Sequence, residues 1–217
     1  MQSVEEWLVD RQARLVLLLK PPFDKAEPNP GYIRGYVPGV RENGGQYTHA
    51  ALWVVMAQAL VGRGDTAHEL LSFINPIYRS SDRNDVQQYR VEPYVVAADI
   101  YSAAGHVGRG GWTWYTGAAG WMYRVTIEQI LGIRREGNAL RIEPCIPAAW
   151  PGYRVTLRVD GAEYVIHVER SNGSGSELGL LTLDGHAVDG GKILIAHGSG
   201  RHDVRVVVGH AAPAAAR

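Results

Sequence analysis

The sequence predicts an α+β chain, a mostly helical first part followed by a small antiparallel β-sandwich. Three observations carry this. Five of the six tryptophans lie before residue 137, where the apolar spacing is mainly helical. After it come runs of Val, Ile, Leu and Thr punctuated by glycine, which read as strands. Three turn pairs, Asp160-Gly161, Asn172-Gly173 and Asp184-Gly185, divide those runs, and such pairs supply the positive φ angles of two-residue hairpins.

The elements follow in order. Residues 4–19 have helical spacing and stop at Lys20-Pro21-Pro22, where two prolines forbid continuation. Residues 21–45 are dense in proline and glycine and show little periodicity. A loop of that length is too long for a neutral connector and is expected to be functional. A second helix starts near Gln46 or Tyr47, runs through Trp53 and Leu60, and closes at 62–64. Asp65 reads as the N-cap of a helix over 66–74, ended by Asn75-Pro76. Residues 79–90 read as a polar loop leading to a helix over 93–104, with Pro93 at its first position and Gly105 closing it. After a glycine-rich loop over 105–111, a helix over 116–131 ends at Gly132. Strands are predicted at 140–142, 153–159, 162–169, 178–183, 192–196 and 203–208. The tail, 209–217, is alanine-rich and expected to be disordered. The expected domains are therefore 1–136, helical, and 137–208, a sandwich.

About five helices do not close a ring. A toroid of twelve helices needs on the order of 200 residues at about 12 per helix and 5 per loop. The helical part is therefore expected to form an open arc, an incomplete toroid.

Composition excludes several classes. The 217 residues carry 22 Lys+Arg against 22 Asp+Glu, and this zero balance argues against nucleic acid, whose phosphates require a basic surplus. The single cysteine, Cys145, rules out a disulfide framework and a cysteine-based zinc site, and fits a reducing compartment. No apolar run approaches the roughly 20 residues of a membrane span, and the acidic start lacks a signal peptide's basic region. A cytoplasmic protein is expected. The histidines show no ligand spacing, so no metal site is expected, and no organic cofactor motif occurs.

Chemistry concentrates in two segments. Gly39-Val40-Arg41-Glu42-Asn43-Gly44-Gly45-Gln46-Tyr47-Thr48-His49 sets donors, acceptors and an aromatic ring at the mouth of a helix. Paired glycines admit close approach of a ligand, and the helix start offers N–H groups to an anion. The plain alternative is a solvated loop with a capping cluster. In Gly111-Trp112-Thr113-Trp114-Tyr115-Thr116-Gly117, aromatics between glycines suit stacking on sugar rings. Thr116 and Gly117 could place a hydroxyl and backbone N–H groups on a phosphate. The alternative makes the tryptophans core, which suits Trp121 inside the helix. Glu92, before Pro93-Tyr94, is either a substrate ligand or favourable charge at a helix start.

These segments resemble glycoside hydrolase family 94, the inverting β-glucoside phosphorylases. Glu92-Pro93-Tyr94-Val95 and Pro144-Cys145-Ile146-Pro147-Ala148-Ala149-Trp150 belong to the same pattern, which covers about residues 15–208. Gln46-Tyr47-Thr48-His49 and Pro93-Tyr94-Val95-Val96-Ala97-Ala98-Asp99 are most similar to the branch acting on β-1,2-glucans, including the C-terminal region of cyclic β-1,2-glucan synthases. Cellobiose and chitobiose phosphorylases look more distant.

The resemblance implies an (α/α)6 barrel with a C-terminal β-sandwich. It implies that His49, Thr116 and Gly117 bind inorganic phosphate, a co-substrate, and that Glu42 hydrogen-bonds the sugar. Arg41, Gln46, Tyr47, Glu92 and Trp114 are expected in the substrate pocket. In this family an Asp general acid protonates the glycosidic oxygen while phosphate attacks from the opposite face, replacing the water of an inverting glycosidase. No segment before residue 39 matches the motif of that Asp, and Asp10 and Asp24 stand in the wrong context. No catalytic residue is therefore assigned. The resemblance implies a C-terminal portion of a phosphorylase, with β-glucan and phosphate as partners, an N-terminal remainder elsewhere, and a homodimer as in many relatives. Two alternatives stand beside it: a non-catalytic glucan-binding module, and an inverting hydrolase using Glu42 and Glu92.

Overall fold

The computed structural model describes residues 1–114, 116–171, 178–196 and 198–209, without the side chain of Thr116. The Asn172-Gly173 turn and residues 210–217 of the expected tail lie outside these residues. The chain is α+β and divides into two compact units, Met1–Val61 with Thr66–Val125, and Gly62–Asp65 with Thr126–Arg217.

The first unit opens with α1 (Gln2–Trp7) and a hairpin of β1 (Val9–Asp10) and β2 (Leu15–Val16), not with a helix over 4–19. Asp10 turns the chain by accepting from the Ala13 N–H at 2.9 Å, and Arg14 sits at φ 55°. Leu15 and Val16 are adjacent and both buried, which one helical face does not allow. Residues 20–45 are irregular apart from a 3-10 turn, Gly31–Gly35. Then come β3 (Gln46–Tyr47), α2 (Thr48–Leu60) and α3 (Gly64–Ile74). The expected polar loop contains α4 (Arg83–Tyr89), whose N-cap Asp82 accepts from Asn84 N and Asp85 N at 2.8 and 2.9 Å.

The helix expected over 93–104 is absent. In its place β4 (Asp99–Ile100) pairs antiparallel with β3, Tyr47 facing Asp99 and Gln46 facing Ile100. The apolar run that suggested a helix gives its backbone to neighbours instead. Ala98 N donates to Trp112 O at 2.6 Å, Ala98 O accepts from Thr48 N, and Thr48 Oγ1 donates to Ala97 O. The unit closes with α5 (Thr116–Val125).

The second unit begins with a π-helical turn, Thr126–Ile130, and Gly132 at φ 68°. Within it, Asp65 lies in the first turn of α3 and not at its N-cap, and its Oδ1 accepts from Ala148 N at 2.7 Å. The strands are β5 (Ile133–Glu136), β6 (Ala139–Ile142), β7 (Gly152–Val159), β8 (Ala162–Arg170), β9 (Leu178–Leu183), β10 (His186–Ala187), β11 (Lys192–Leu194) and β12 (Arg201–Val208). They form a three-stranded sheet ordered β11-β6-β5 and a five-stranded sheet ordered β10-β9-β12-β8-β7.

One buried cluster joins Leu140, Ile142 and Ile193 of the smaller sheet to Tyr164, Ile166 and Val206 of the larger, so the two sheets share a core. Asp160-Gly161 and Asp184-Gly185 form the expected turns, with φ 50° and 90°, and 50° and 83°. One pairing departs from an antiparallel sandwich. β12 lies between β8 and β9, which run in opposite directions, and so is antiparallel to β9 and parallel to β8. Among the described residues no helix is long and apolar enough to cross a membrane.

Candidate functional site

The first unit gathers the chemical residues around the β3–β4 pair. The loop 39–45 before β3 folds back on itself, with Gly39 N donating to Asn43 O at 2.7 Å and Ser102 N donating to Gly39 O. A Cβ on Gly39, at φ 88°, would stand 2.3 Å from Ala103 N, so only glycine fits there. Asn43, fully buried, accepts from Phe23 N at 2.7 Å and donates to Phe23 O and Tyr36 O at 2.8 Å each. Gln46 is also fully buried. Its Oε1 accepts from Val16 N at 2.7 Å and its Nε2 donates to Phe73 O at 3.3 Å. Both ends of the Gln46 amide are taken by backbone, so it is a strut of the scaffold and not a pocket group as expected.

Arg41 and Glu42 meet as an ion pair at 3.5 Å with only 11% and 15% of their side chains exposed. The Arg41 guanidinium lies 4.7 Å from the Trp112 ring and 5.5 Å from that of Tyr36. Beside them, burial and then the charge of Glu42 push the Tyr47 hydroxyl pKa up. An anchored carboxylate beside the exposed face of Trp112 offers an acceptor for sugar hydroxyls next to an apolar shelf. Asp99 stands behind this pair, fully buried, and its Oδ2 accepts from Arg41 N at 2.8 Å. Burial raises its pKa, while the Arg41 N–H and guanidinium and the Trp112 N–H pull against that rise.

Trp114 is 68% exposed at φ 63°, and its Nε1 donates to Glu92 Oε1 at 3.4 Å. Tyr94 meets Trp114 edge-on with centroids 6.5 Å apart. Without a helix at 93–104, Glu92 is not charge at a helix start. It holds an aromatic shelf.

His49, exposed on the first turn of α2, lies 6.1 Å from Trp53 and 5.9 Å from Trp121 between ring centroids. Trp53 and Trp121 are themselves 4.7 Å apart. Trp121 stands one turn into α5 from Gly117, so the start of α2 packs against α5 at its second turn. The Thr116 side chain lies outside the described residues. Trp121 is half-buried and packs on His49, as its place inside a helix suggested.

The structure thus joins Arg41, Glu42 and Tyr47 in one patch, Glu92 and Trp114 in a second, and His49 with α5 in a third. Sequence reasoning missed Asp99 and Asn43. The one available signal was a lone carboxylate in the apolar run 95–100.

Residues 1–132 match the sequence model of the Glycosyl hydrolase 94 superfamily, catalytic domain. The chain is 51% identical over 175 residues to a cyclic beta-(1,2)-glucan synthase of Rhizobium meliloti (strain 1021), a match spanning 81% of this chain and 6% of that one. It is 37% identical over 172 residues to an N,N'-diacetylchitobiose phosphorylase of Vibrio furnissii, covering 78% of this chain and 21% of that one. It is 28% identical over 134 residues to a 1,2-beta-oligoglucan phosphorylase of Listeria innocua serovar 6a, covering 55% and 12%. The chitobiose enzyme therefore lies further off than the synthase, as expected, but nearer than this oligoglucan phosphorylase.

Proposed function

The chain belongs to the glycosyl hydrolase 94 superfamily, and from that premise we propose that it is the C-terminal portion of a β-glucan phosphorylase acting in the cytoplasm. Its helical part is an arc of an (α/α)6 barrel over 1–136, and 137–208 is the C-terminal sandwich. The chain spans about a fifth or less of the relatives named above, so the remaining barrel helices and the general-acid Asp belong to an N-terminal remainder. The complete enzyme, a homodimer, releases α-glucose 1-phosphate when phosphate attacks the anomeric carbon opposite the leaving oxygen.

In this reading His49, Thr116 and Gly117 hold the phosphate, with no further cofactor. Glu42 accepts from a sugar hydroxyl, Arg41 fixes Glu42, Tyr47 lines the pocket, and Trp114, held by Glu92, is a stacking surface. The observation that carries it is His49, exposed on the first turn of α2 and set against α5 beside Trp121. A histidine at the start of one helix, packed against a second helix, suits an anion, which supports this reading. A hydrolase is less well supported, since Glu92 Oε1 is engaged by Trp114 and is not a free base.

The test reassembles the enzyme from this chain and the N-terminal remainder. His49→Ala should cost roughly 1.5–3 kcal/mol at the phosphate, one to two decades in phosphorolysis rate, with glucan affinity little changed. An unchanged phosphate dependence would overturn the assignment.

A further inference from the structure

We propose that the hollow between the end of α4 and the loop 105–109 is an anion site, where the guanidinium groups of Arg90 and Arg109 together take a phosphate group, free or esterified to a small sugar. None of its lining residues belongs to the three patches described above, so the proposal stands apart from the phosphorolysis reading.

The hollow has a volume of about 240 Å³ and lies within the first unit. One wall is the end of α4. Arg90 caps that helix in the left-handed region, φ 55°, with its N–H donating to Val86 O at 3.0 Å. Its side chain folds back, and Nε donates to Gln87 O at 2.9 Å. A guanidinium held through Nε keeps its outer nitrogens for a ligand and has little rotamer freedom left to lose on binding. The other wall is the loop. Gly108 N donates to Tyr101 O and Tyr101 N to Arg109 O, each at 2.8 Å, while Arg109 N donates to His106 O at 3.1 Å. Gln88 ties the walls together, its Nε2 donating to Val107 O at 3.0 Å. Glycine at 108, φ 82°, permits that approach, since a Cβ there would stand 2.6 Å from Gln88 Nε2. Both arginines are therefore mounted on backbone that is already fixed.

Charge points to the ligand. Two arginine pairs elsewhere in the chain gather around a carboxylate. Arg134 and Arg141 both meet Glu143, and Arg158 and Arg201 both meet Glu163, at 3.0 and 3.8 Å. Arg90, Arg109 and His106 share a hollow that no Asp or Glu lines, and among the described residues neither arginine has an ion pair. Like charges around one space repel, and an anion between them turns that cost into attraction. A phosphate group offers at least three oxygens to the two guanidinium forks, where a carboxylate offers only two. The volume falls below the roughly 300 Å³ at which drug-sized pockets begin, which suits such a group with a monosaccharide at most. Gln87 also lines the hollow, and its side chain makes no hydrogen bond among the described residues, so its amide is available to a sugar hydroxyl.

The experiment titrates the whole chain, at constant ionic strength, with inorganic phosphate and with α-glucose 1-phosphate, followed at the backbone amides. Those of Arg90, His106, Val107 and Arg109 should move together along one saturating curve. Tighter binding of the ester assigns the hollow to a sugar phosphate, and equal or tighter binding of inorganic phosphate assigns it to the free ion; either supports the proposal. Arg90→Gln and Arg109→Gln, both at exposed positions, should each weaken binding at least about tenfold, the loss of one charge-assisted contact. Shifts that chloride reproduces, or that do not saturate, are non-specific attraction and overturn the proposal. So does affinity that survives both substitutions. His49→Ala should leave these shifts unchanged, which separates this site from the phosphate patch proposed above; their loss in that variant would assign the signal to the His49 patch and overturn the second site.

Discussion

The two units are held together by opposite means. In the first, Asn43, Gln46, Thr48, Gln58, Arg79 and Asp99 are buried to 1% exposure or less, while among the described residues the second contributes one buried polar group, Gln129. Irregular backbone explains the difference. Segments 20–45 and 90–114 make few ladders, so their N–H and C=O groups need side-chain partners when buried. Arg79 donates to the carbonyls of Phe73, Ala13 and Arg14, and Gln46 shares the Phe73 carbonyl. The sandwich satisfies its backbone in strands and fills its centre with Val, Ile and Leu. A loop-built site thus depends on polar struts, and a sheet depends on volume.

The largest expected effect breaks a strut. Arg79→Met leaves the Ala13 and Arg14 carbonyls without this donor and the Phe73 carbonyl with Gln46 alone, and should cost about 4 kcal/mol. Hydrogen exchange should report lost protection across the first unit, with the sandwich retained. Loss in both units together would show that they are one cooperative body. A somewhat smaller effect is expected from Ile166→Ala, which removes a fully buried side chain from the sandwich core and should cost about 3 kcal/mol. Here the protection lost should be confined to residues 126–208.

The smallest effect concerns the rim of the sandwich. The Asp184 carboxylate accepts from the His202 ring, 2.8 Å away, and from Asp203 N, and these contacts hold its pKa below the usual value of 3.8. Its contribution is therefore present above pH 3.8 and lost as pH falls through the depressed folded value. Half-exposed and screened, it should be worth at most about 1 kcal/mol. Asp184→Asn should flatten the acid limb of the stability curve slightly, and an unchanged limb would show that the contact contributes nothing.

The same contrast governs what could be read from the residues. Asp160-Gly161 and Asp184-Gly185 were legible because a two-residue hairpin demands positive φ there, and alternation over 164–169 announced a strand with one buried face. The strand Ile133–Glu136 was missed because only one of its four residues is apolar. In the first unit, helix Arg83–Tyr89 hid in a polar stretch because its start depends on the Asp82 cap. The run 93–104 looked helical because Pro93 suits a first helical position and Gly105 a closing one, but long-range backbone partners set its conformation. Of the site, the residue types of the patches were legible, and so was the setting of His49 at a helix start. Gln46 was misread because nothing local distinguishes a strut from a ligand when its partners, Val16 and Phe73, lie about thirty residues away on either side.

The position of β12 has a consequence for the order of events during synthesis. Among the described strands it comes last in chain order, and it fills the middle of the larger sheet between β8 and β9. Until residue 208 has left the ribosome, β7–β8 and β9–β10 are two hairpins, each with an unsatisfied edge open to other chains. The larger sheet therefore closes only when β12 is available, and a chain cut short before residue 201 is a sticky product, not a smaller folded one.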